Sequence, residues 1–195
     1  MSWIREFRGQ TVVIKLGGSV MKDYEALGDI IHDIVFMETV GMHPIVVHGG
    51  GAAISHAMDA AGIEAHFIQG RRYTDEPSLA IVEEVLVNDV NLELVQRVQD
   101  LQGRAEAVSF RTHNVLRGRM LNLVASDGEK VDLVLVGEVT EVDHAYLLDL
   151  LDRGIVPFIP SMCLGTKDQS KYNVNADTAA TAVAVSLKAD KLVFL

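Results

Sequence analysis

Apolar runs and glycine turns alternate along the first third of the chain. The apolar run from Thr11 to Leu16 ends at Gly17 and Gly18, and a second run, Pro44 to Val47, ends at His48 and three glycines. A stretch with apolar residues at helical spacing follows each glycine turn. Strand, glycine turn and helix therefore occur twice, which predicts parallel βαβ units whose glycine turns lie at one edge of a sheet.

The middle of the chain predicts a long helix. A strand is expected before it at 63–69, and Thr74 or Asp75 can serve as its N-cap. Its apolar residues keep a spacing of three or four over about five turns: Leu79, Val82, Leu86, Val90, Leu94 and Val98. A helix of this length is more often structural or a dimer contact than catalytic.

Short strands and turns dominate the remaining residues. Strands are expected at 105–110, at 121–125 and 131–136 as a hairpin around the turn SDGEK, and at 156–159. A leucine-rich helix capped by Asp143 precedes the last of these, and a long polar loop through Lys171 follows it. An alanine-rich helix at 178–187 and a strand at 191–195 come last. We expect an α/β fold with an open, mostly parallel sheet and a β-hairpin portion.

Composition and charge argue against several classes of protein. The 195 residues are 49% apolar with a mean hydropathy of +0.21, enough for the core of one domain, or of one domain and part of another. A net charge of −10, with lysines and arginines scattered, argues against nucleic-acid binding. Cys163 is the single cysteine, so the chain has no internal disulfide framework, and no zinc-ligand spacing is present.

The sequence also argues against a signal peptide and a membrane span. The longest run without Asp, Glu, Lys or Arg, 39–58, contains histidines, a proline and three consecutive glycines. The first ten residues lack the apolar core of a signal peptide. We therefore predict a cytoplasmic protein that binds neither membranes nor nucleic acid.

Lys15 and the two glycine turns indicate an anion-binding site. Lys15 places a charge at the end of an apolar strand, and glycines let backbone N–H groups approach an anion closely. The two turns, Gly17-Gly18 and Gly49-Gly50-Gly51, together favour phosphate binding over turns made only for packing. The patterns GxxxxGK[ST] and GxGxxG are absent, so any phosphate site is of another type.

Two further polar groups stand at the ends of expected elements. Arg71 and Arg72 follow a glycine, where an arginine can hold a carboxylate through paired hydrogen bonds; the alternative is a solvated pair. Asn173, Asn175 and Asp177 stand at a helix start, where the alternative is plain capping.

The histidines and Ser19 give little support to other chemistry. No histidine has a partner at metal-site or catalytic-triad spacing, and His48 is the only histidine near the proposed site. Ser19 follows the diglycine without a neighbouring base, so nucleophilic catalysis has little support.

Five segments, in this order, resemble the acetylglutamate kinases of the amino-acid kinase family: TVVIKLGGSVM, IVVHGGGAAI, GRRYTDE, VGEVTEVD and YNVNADTAATAVA. The resemblance covers nearly the whole chain. It implies an αβα sandwich in which residues 1–176 bind the amino acid and the phosphoryl group, and residues 177–195 begin the nucleotide-binding domain. It also implies ATP-dependent phosphorylation of the side-chain carboxylate of N-acetyl-L-glutamate in arginine biosynthesis, with Mg²⁺ held mainly by the phosphates, in a homodimer.

The resemblance also implies roles for single residues. Lys15 matches a catalytic lysine, and Asp177 matches the aspartate that orients the catalytic lysines. Phosphate-binding positions are Gly17, Gly18, Gly49 and Gly50, and substrate-binding positions are Gly50, Gly51, Arg72, Asn173 and Asn175; no side chain is expected to bind a metal. A carboxylate acceptor is ionised at neutral pH and needs no general base, so the protein must supply positioning and positive potential.

Three departures from the family pattern leave alternatives open. GRRYT stands where the family has GLRVT, and SFRTHNVL stands where it usually has a glycine-rich LSGKDG-like turn. The family continues past KLVFL with a TDVxG segment, a second catalytic lysine and the adenine pocket, so we expect a portion of a longer enzyme. The alternatives are a kinase of another acid, such as an aminoadipate derivative or aspartate, and a non-catalytic substrate-sensing or dimerisation module.

Overall fold

The computed structural model describes residues 6–124, 130–131 and 133–195. Strands β1 to β13 lie at Thr11–Leu16, His43–His48, Phe67–Ile68, Arg71–Arg72, Ala105–Ala107, Leu116–Met120, Leu123–Val124, Lys130–Val131, Val136–Val142, Val156–Pro160, Met162–Gly165, Lys171–Val174 and Lys191–Phe194. Helices α1 to α6 lie at Tyr24–Thr39, Gly51–Ala60, Glu76–Glu83, Asn91–Asp100, His144–Asp152 and Ala176–Leu187.

A parallel sheet of five strands forms the centre of the fold, in the order β13-β1-β2-β10-β5. Leu16 and Pro160 both pair with His48, so β1, β2 and β10 end at the same level. The glycine turns after β1 and β2 therefore lie side by side, as the repeated strand, glycine and helix pattern predicts.

Helices cover both faces of this sheet. On one face, Val13, Ile45 and Val47 pack with residues of α5 and α6. On the other face, Ile14 and Val46 pack with residues of α1 and α4. Alternate residues of each strand thus enter opposite apolar layers. The predicted α/β fold with helices on both faces of a mostly parallel sheet is confirmed.

A second β unit, small and closed, stands beside the sheet. Strands β6, β9, β12 and β11 form a four-stranded barrel. Within it, β6 with β9 and β11 with β12 are antiparallel, whereas β11 with β6 and β12 with β9 are parallel. β11 occupies part of the stretch predicted as a polar loop, and β6 was not predicted, so the barrel is a correction to the sequence-based picture.

The predicted hairpin portion is present but shorter. β7 and β8 pair antiparallel, and residues 126–129 of the predicted SDGEK turn lie outside the described residues. The strand predicted at 63–69 is reduced to β3, whose one partner among the described strands is β4, in a two-stranded hairpin. This hairpin carries Arg72.

The long helix predicted from Asp75 is interrupted by a π-helical segment, Glu84–Val90, between α3 and α4. Asp75 caps the start of α3, with its carboxylate accepting from Ser78 N at 3.0 Å, as predicted. The π-helical segment directs Leu86 toward Gly50. Asn91 follows it, is fully buried, and donates its side-chain amide to the Phe158 carbonyl at 3.1 Å.

In the described part of the chain, none of the helices has the length and apolar content that crossing a membrane requires. The division at residue 176 stays a prediction.

Candidate active site

A cleft of about 220 Å³ opens at the carboxyl ends of β1, β2 and β10, next to the barrel. All of the predicted site residues line it: Lys15, Gly17, Gly18, Gly49, Gly50, Gly51, Arg72, Asn173, Asn175 and Asp177. Arg71 also lines it, so three cations face one carboxylate among the lining residues. The cleft therefore carries positive charge in a protein whose net charge is −10.

Lys15 and Asp177, which both line the cleft, form an ion pair. Lys15 Nζ lies 2.9 Å from Asp177 Oδ1, and the lysine side chain is 17% exposed. Asp177 lies in the first turn of α6, where the helix dipole favours a carboxylate. The structure thus brings together two residues that are 162 positions apart in the sequence.

The amides of the four predicted phosphate-binding glycines differ in their hydrogen bonding. Gly17 N donates to the Leu195 carbonyl at 2.8 Å, and Gly49 N donates to the Leu16 carbonyl at 3.2 Å. Among the described residues, the amides of Gly18 and Gly50 have no such partner. The expectation of backbone donors to an anion therefore fits Gly18 and Gly50 better than Gly17 and Gly49.

Two of the glycines are required by close packing. A Cβ on Gly17 would lie 2.8 Å from Lys15 Nζ and 2.7 Å from the Leu195 carbonyl oxygen. A Cβ on Gly50 would lie 2.6 Å from Leu86 Cδ2. A Cβ on Gly51 would meet none of the described residues within 4 Å, so this side of the turn is open in the part of the chain that the structure describes.

Helix α2 begins at Gly51, directly at the cleft, with Gly50 as its N-cap. The first amides of a helix have no partner within the helix, and the helix dipole adds positive potential there. This arrangement suits an anion, because backbone donors and positive potential meet at one point.

Arg72 is held by α2 rather than solvated. It is 6% exposed, its Nη2 donates to the Gly51 carbonyl at 3.0 Å and to Ser55 Oγ at 2.8 Å, and its guanidinium lies 4.7 Å from the centre of the Phe67 ring. Burial lowers the pKa of Arg72 from its usual value. The solvated-pair alternative is therefore wrong for Arg72.

Asn173 and Asn175 have different structural roles. Asn173 lies in β12 and donates its side-chain amide to Thr74 Oγ1 at 3.1 Å. Asn175 is the N-cap of α6, with Oδ1 accepting from Thr178 N at 3.0 Å. The capping alternative is thus confirmed for Asn175, and its binding of a substrate stays a prediction.

His48 is fully buried beside the triglycine turn. Burial lowers its pKa from 6.5 to about 4, although a hydrogen bond to the Gly49 carbonyl, 3.0 Å from Nδ1, acts in the opposite direction. Its Nε2 has no partner among the described residues. The ring is neutral at pH 7 and is not among the residues lining the cleft, so His48 is not a candidate base.

One histidine pairing was missed from the sequence. His113 Nε2 lies 3.0 Å from Asp143 Oδ2, and its ring stacks on Tyr146 with centroids 3.6 Å apart. Neither His113 nor Asp143 lines the cleft. This pairing stabilises the start of α5, which Asp143 caps.

Three buried or half-buried hydroxyl residues near the cleft were also missed. Ser55 and Thr74 bind Arg72, and Ser161 lines the cleft directly after β10. Only Ser161 had a signal in the sequence, because it follows a third strand that ends at the same sheet edge. Among the described residues, no group of three or more His, Cys, Asp or Glu side chains could hold a metal ion.

Comparison with known proteins decides the family. Residues 10–195 match the model of the amino acid kinase family. The chain belongs to this family. The acetylglutamate kinase of Heliobacterium modesticaldum is 40% identical over the whole chain and 67% of its own length, and that of Caldanaerobacter subterraneus subsp. tengcongensis is 41% identical over the whole chain and 63% of its length. The chain thus spans about two thirds of these curated relatives.

A solved member of this fold is also similar. The structure of N-acetylglutamate synthase from Neisseria gonorrhoeae with coenzyme A and N-acetyl-glutamate matches the whole chain over 43% of its own length, at a TM-score of 0.83 and 26% identity. The amino acid kinase fold inferred from the resemblance is therefore confirmed.

Proposed function

We propose that the protein transfers the γ-phosphoryl group of ATP to the side-chain carboxylate of N-acetyl-L-glutamate, giving N-acetyl-L-glutamyl 5-phosphate in arginine biosynthesis. The observation that carries the proposal is the meeting, in one cleft, of Lys15, the free amides of Gly18 and Gly50, and the buried Arg72. The names of the relatives that are about 40% identical over the whole chain support it.

In this proposal the acid substrate binds on the side of Arg72 and Asn173. A buried guanidinium forms strong charge-assisted hydrogen bonds with a carboxylate. Arg72 directs Nη2 to the Gly51 carbonyl and to Ser55 Oγ, and its Nη1 donates to Met58 Sδ at 3.2 Å. Among the described residues, this leaves Nε and one Nη1 hydrogen for the α-carboxylate of the substrate. The amides of Gly50 and Gly51, Asn173 and Asn175 complete the contacts to the substrate.

Phosphoryl transfer then takes place on the glycine side of the cleft. A side-chain carboxylate oxygen forms a bond to the γ-phosphorus, and the bond from that phosphorus to the bridging oxygen of ADP breaks. Negative charge on the transferred group is stabilised by Lys15, by the Gly18 and Gly50 amides and by the start of α2. Asp177 holds Lys15 Nζ in place at 2.9 Å. No side chain has to accept a proton, because the attacking carboxylate is already ionised.

We propose that ATP binds with Mg²⁺ and that phosphate oxygens supply most ligands of the ion. Among the described residues that line the cleft, one is acidic, Asp177, and it is already paired with Lys15. Few carboxylate ligands are therefore available to the ion from the protein. When bound, Mg²⁺ would offset charge on the β- and γ-phosphates.

The larger organisation of the protein belongs to the same proposal. We propose that residues 1–176 bind the acid and the phosphoryl group and that residues 177–195 begin the nucleotide-binding domain. We also propose a homodimer, as the resemblance to the family implies, and a cytoplasmic location. A sedimentation experiment would test the dimer.

Trapping the acyl phosphate with hydroxylamine tests the activity. The protein expressed from its whole reading frame, with Mg-ATP and N-acetyl-L-glutamate, should give the hydroxamate, and omission of either substrate should abolish it. Absence of hydroxamate at every ATP concentration would exclude the proposed reaction.

Substrate identity is tested in the same assay. The kcat/KM for N-acetyl-L-glutamate should exceed that for aspartate and for an aminoadipate derivative, and a higher value for either would replace the proposed substrate. The similarity to a synthase structure containing N-acetyl-glutamate favours one further candidate, a non-catalytic binding module. Such a module would bind N-acetyl-L-glutamate in calorimetry without forming hydroxamate.

A further inference from the structure

Thr74 lies between the two proposed holders of the acid substrate. It follows the β3–β4 hairpin and is fully buried. Its backbone N–H donates to the Leu133 carbonyl at 3.3 Å, and its carbonyl accepts from Leu135 N at 2.8 Å. These bonds form an isolated parallel bridge with Val134 and fix the Thr74 backbone against the segment that leads into β9.

The Thr74 hydroxyl joins Arg72 to Asn173. Its Oγ1 donates to the Arg72 carbonyl at 2.9 Å and accepts from Asn173 Nδ2 at 3.1 Å. A hydroxyl has one hydrogen, and the Arg72 carbonyl can only accept, so that hydrogen is committed to Arg72. Asn173 must then present its nitrogen to Thr74, and its Oδ1 is turned away from Thr74.

The backbone of Asn173 is tied to the same segment. Asn173 N donates to the Leu135 carbonyl at 3.0 Å, one residue after the bridge with Thr74. Backbone bonds therefore fix where Asn173 lies, and the Thr74 hydroxyl fixes which end of its amide faces the cleft. Without that hydroxyl, the Asn173 amide could rotate and the Arg72 carbonyl would lose a buried partner.

We propose that Thr74 is a positioning residue for binding of the acid substrate. It acts through Arg72 and Asn173 and touches no reacting atom. This inference rests on the proposed function, because it concerns the same acid site. It predicts that the hydroxyl, rather than the shape or size of the Thr74 side chain, is required for acid binding.

Two substitutions separate the hydroxyl from the volume. Thr74→Val keeps the shape and removes the hydroxyl, whereas Thr74→Ser removes a methyl group and keeps the hydroxyl. Calorimetry on the 195-residue chain should give a Kd for N-acetyl-L-glutamate that is roughly tenfold weaker for Thr74→Val, as expected for loss of a buried hydrogen bond. Thr74→Ser should stay within about threefold of wild type. Equal weakening in both variants, or none in Thr74→Val at an unchanged thermal midpoint, would overturn the proposal.

A second measurement needs no variant. In the wild-type chain, NMR hydrogen exchange of the Asn173 side-chain NH₂ should be slow, because one of its hydrogens is bound to the buried Thr74 hydroxyl. Exchange at the rate of a solvated amide would overturn the hydrogen bond itself, even where Thr74→Val fails to fold. Slow exchange together with no binding of N-acetyl-L-glutamate by the wild-type chain would instead contradict the proposed substrate.

Discussion

His48 should make the stability of the protein fall on mild acidification. Its ring is fully buried, and its pKa is lowered from 6.5 to about 4 by that burial. Between these two values the unfolded chain binds a proton on His48 and the folded chain does not. As far as His48 is concerned, the free energy of unfolding is therefore highest above pH 6.5 and decreases as the pH falls. It levels off below about pH 4.

The size of the effect follows from the gap between the two pKa values. One pKa unit corresponds to about 1.4 kcal/mol, so the full gap is worth about 3 kcal/mol, and about 2 kcal/mol of this is lost by pH 5. A loss of that size is a large fraction of the stability of a typical domain. Carboxylates contribute little to the change in the free energy of unfolding between pH 7 and pH 5, because their pKa values in the unfolded chain lie near 4.

Urea unfolding followed by far-ultraviolet circular dichroism at pH 7.5 and pH 5 measures the loss. His48→Gln cannot titrate, so its free energy of unfolding should fall by about 2 kcal/mol less than that of wild type over this interval. Only the difference between the two pH values is compared, so any packing change at pH 7.5 cancels. His56→Gln, at an exposed position on α2, is the matched control and should behave as wild type. An equal loss in wild type and His48→Gln would refute the reasoning.

Three further predictions concern the site and its support. Lys15→Ala should lower kcat by at least about 100-fold with little change in KM for the acid, since its charge acts on the transferred group; a change in KM alone would contradict this. Gly50→Ala should lower the free energy of unfolding in urea by about 1–3 kcal/mol, because the new Cβ would overlap Leu86 Cδ2. Gly18→Ala is the control and should not lower it, because its new Cβ would lie 3.6 Å from its nearest neighbour, the Ala52 nitrogen. Equal losses in the two variants would contradict the prediction. Glu83→Gln should lower the free energy of unfolding by about 2 kcal/mol at pH 7, and this difference should shrink as the pH falls through the lowered pKa of Glu83; a difference that does not change with pH would contradict it.

The last prediction rests on a small cluster around Glu83. The Glu83 carboxylate accepts from Lys171 Nζ at 2.6 Å and from Arg111 Nη2 at 2.6 Å. Burial raises its pKa, but these hydrogen bonds outweigh burial and leave the pKa below its usual value. The stabilisation is therefore present above the unfolded pKa and lost as the pH falls. Arg111 belongs to SFRTHNVL, so the unusual segment has its own structural partners.

The sequence predicted the elements whose signals are local. Apolar runs followed by consecutive glycines predicted β1, β2 and the turns after them. Asp75 was predicted as a cap because it stands directly before residues at helical spacing. The barrel escaped prediction because its strands depend on distant partners. β6, with the sequence LRGRM, has no clear alternation of apolar and polar residues. β11, with the sequence MCLG, is a short apolar stretch directly before polar residues, and its pairing with β12 is not visible in the sequence.

The same distinction applies to the candidate site. Lys15 and the glycines were visible because charge and glycine at a strand end are unusual. The amides of Gly17 and Gly49 already donate to the carbonyls of Leu195 and Leu16. These hydrogen bonds depend on which strands are neighbours, so they could not be predicted from the sequence. The π-helical segment was hidden as well, because apolar residues at three- and four-residue spacing predict a regular helix equally well.

Ser161 is the point where the two halves of the cleft are joined. Its N–H donates to the His48 carbonyl at 2.9 Å, and its carbonyl accepts from Val174 N at 2.9 Å. The parallel sheet on one side carries Lys15, and the barrel on the other carries Asn173. These bonds involve only the backbone of Ser161, so a change of its side chain leaves both bonding groups in place. Arg72 is a second connection between the two sides, because its guanidinium donates to the Gly51 carbonyl of the triglycine turn at 3.0 Å. Binding of the proposed acid substrate and the position of this turn are therefore coupled.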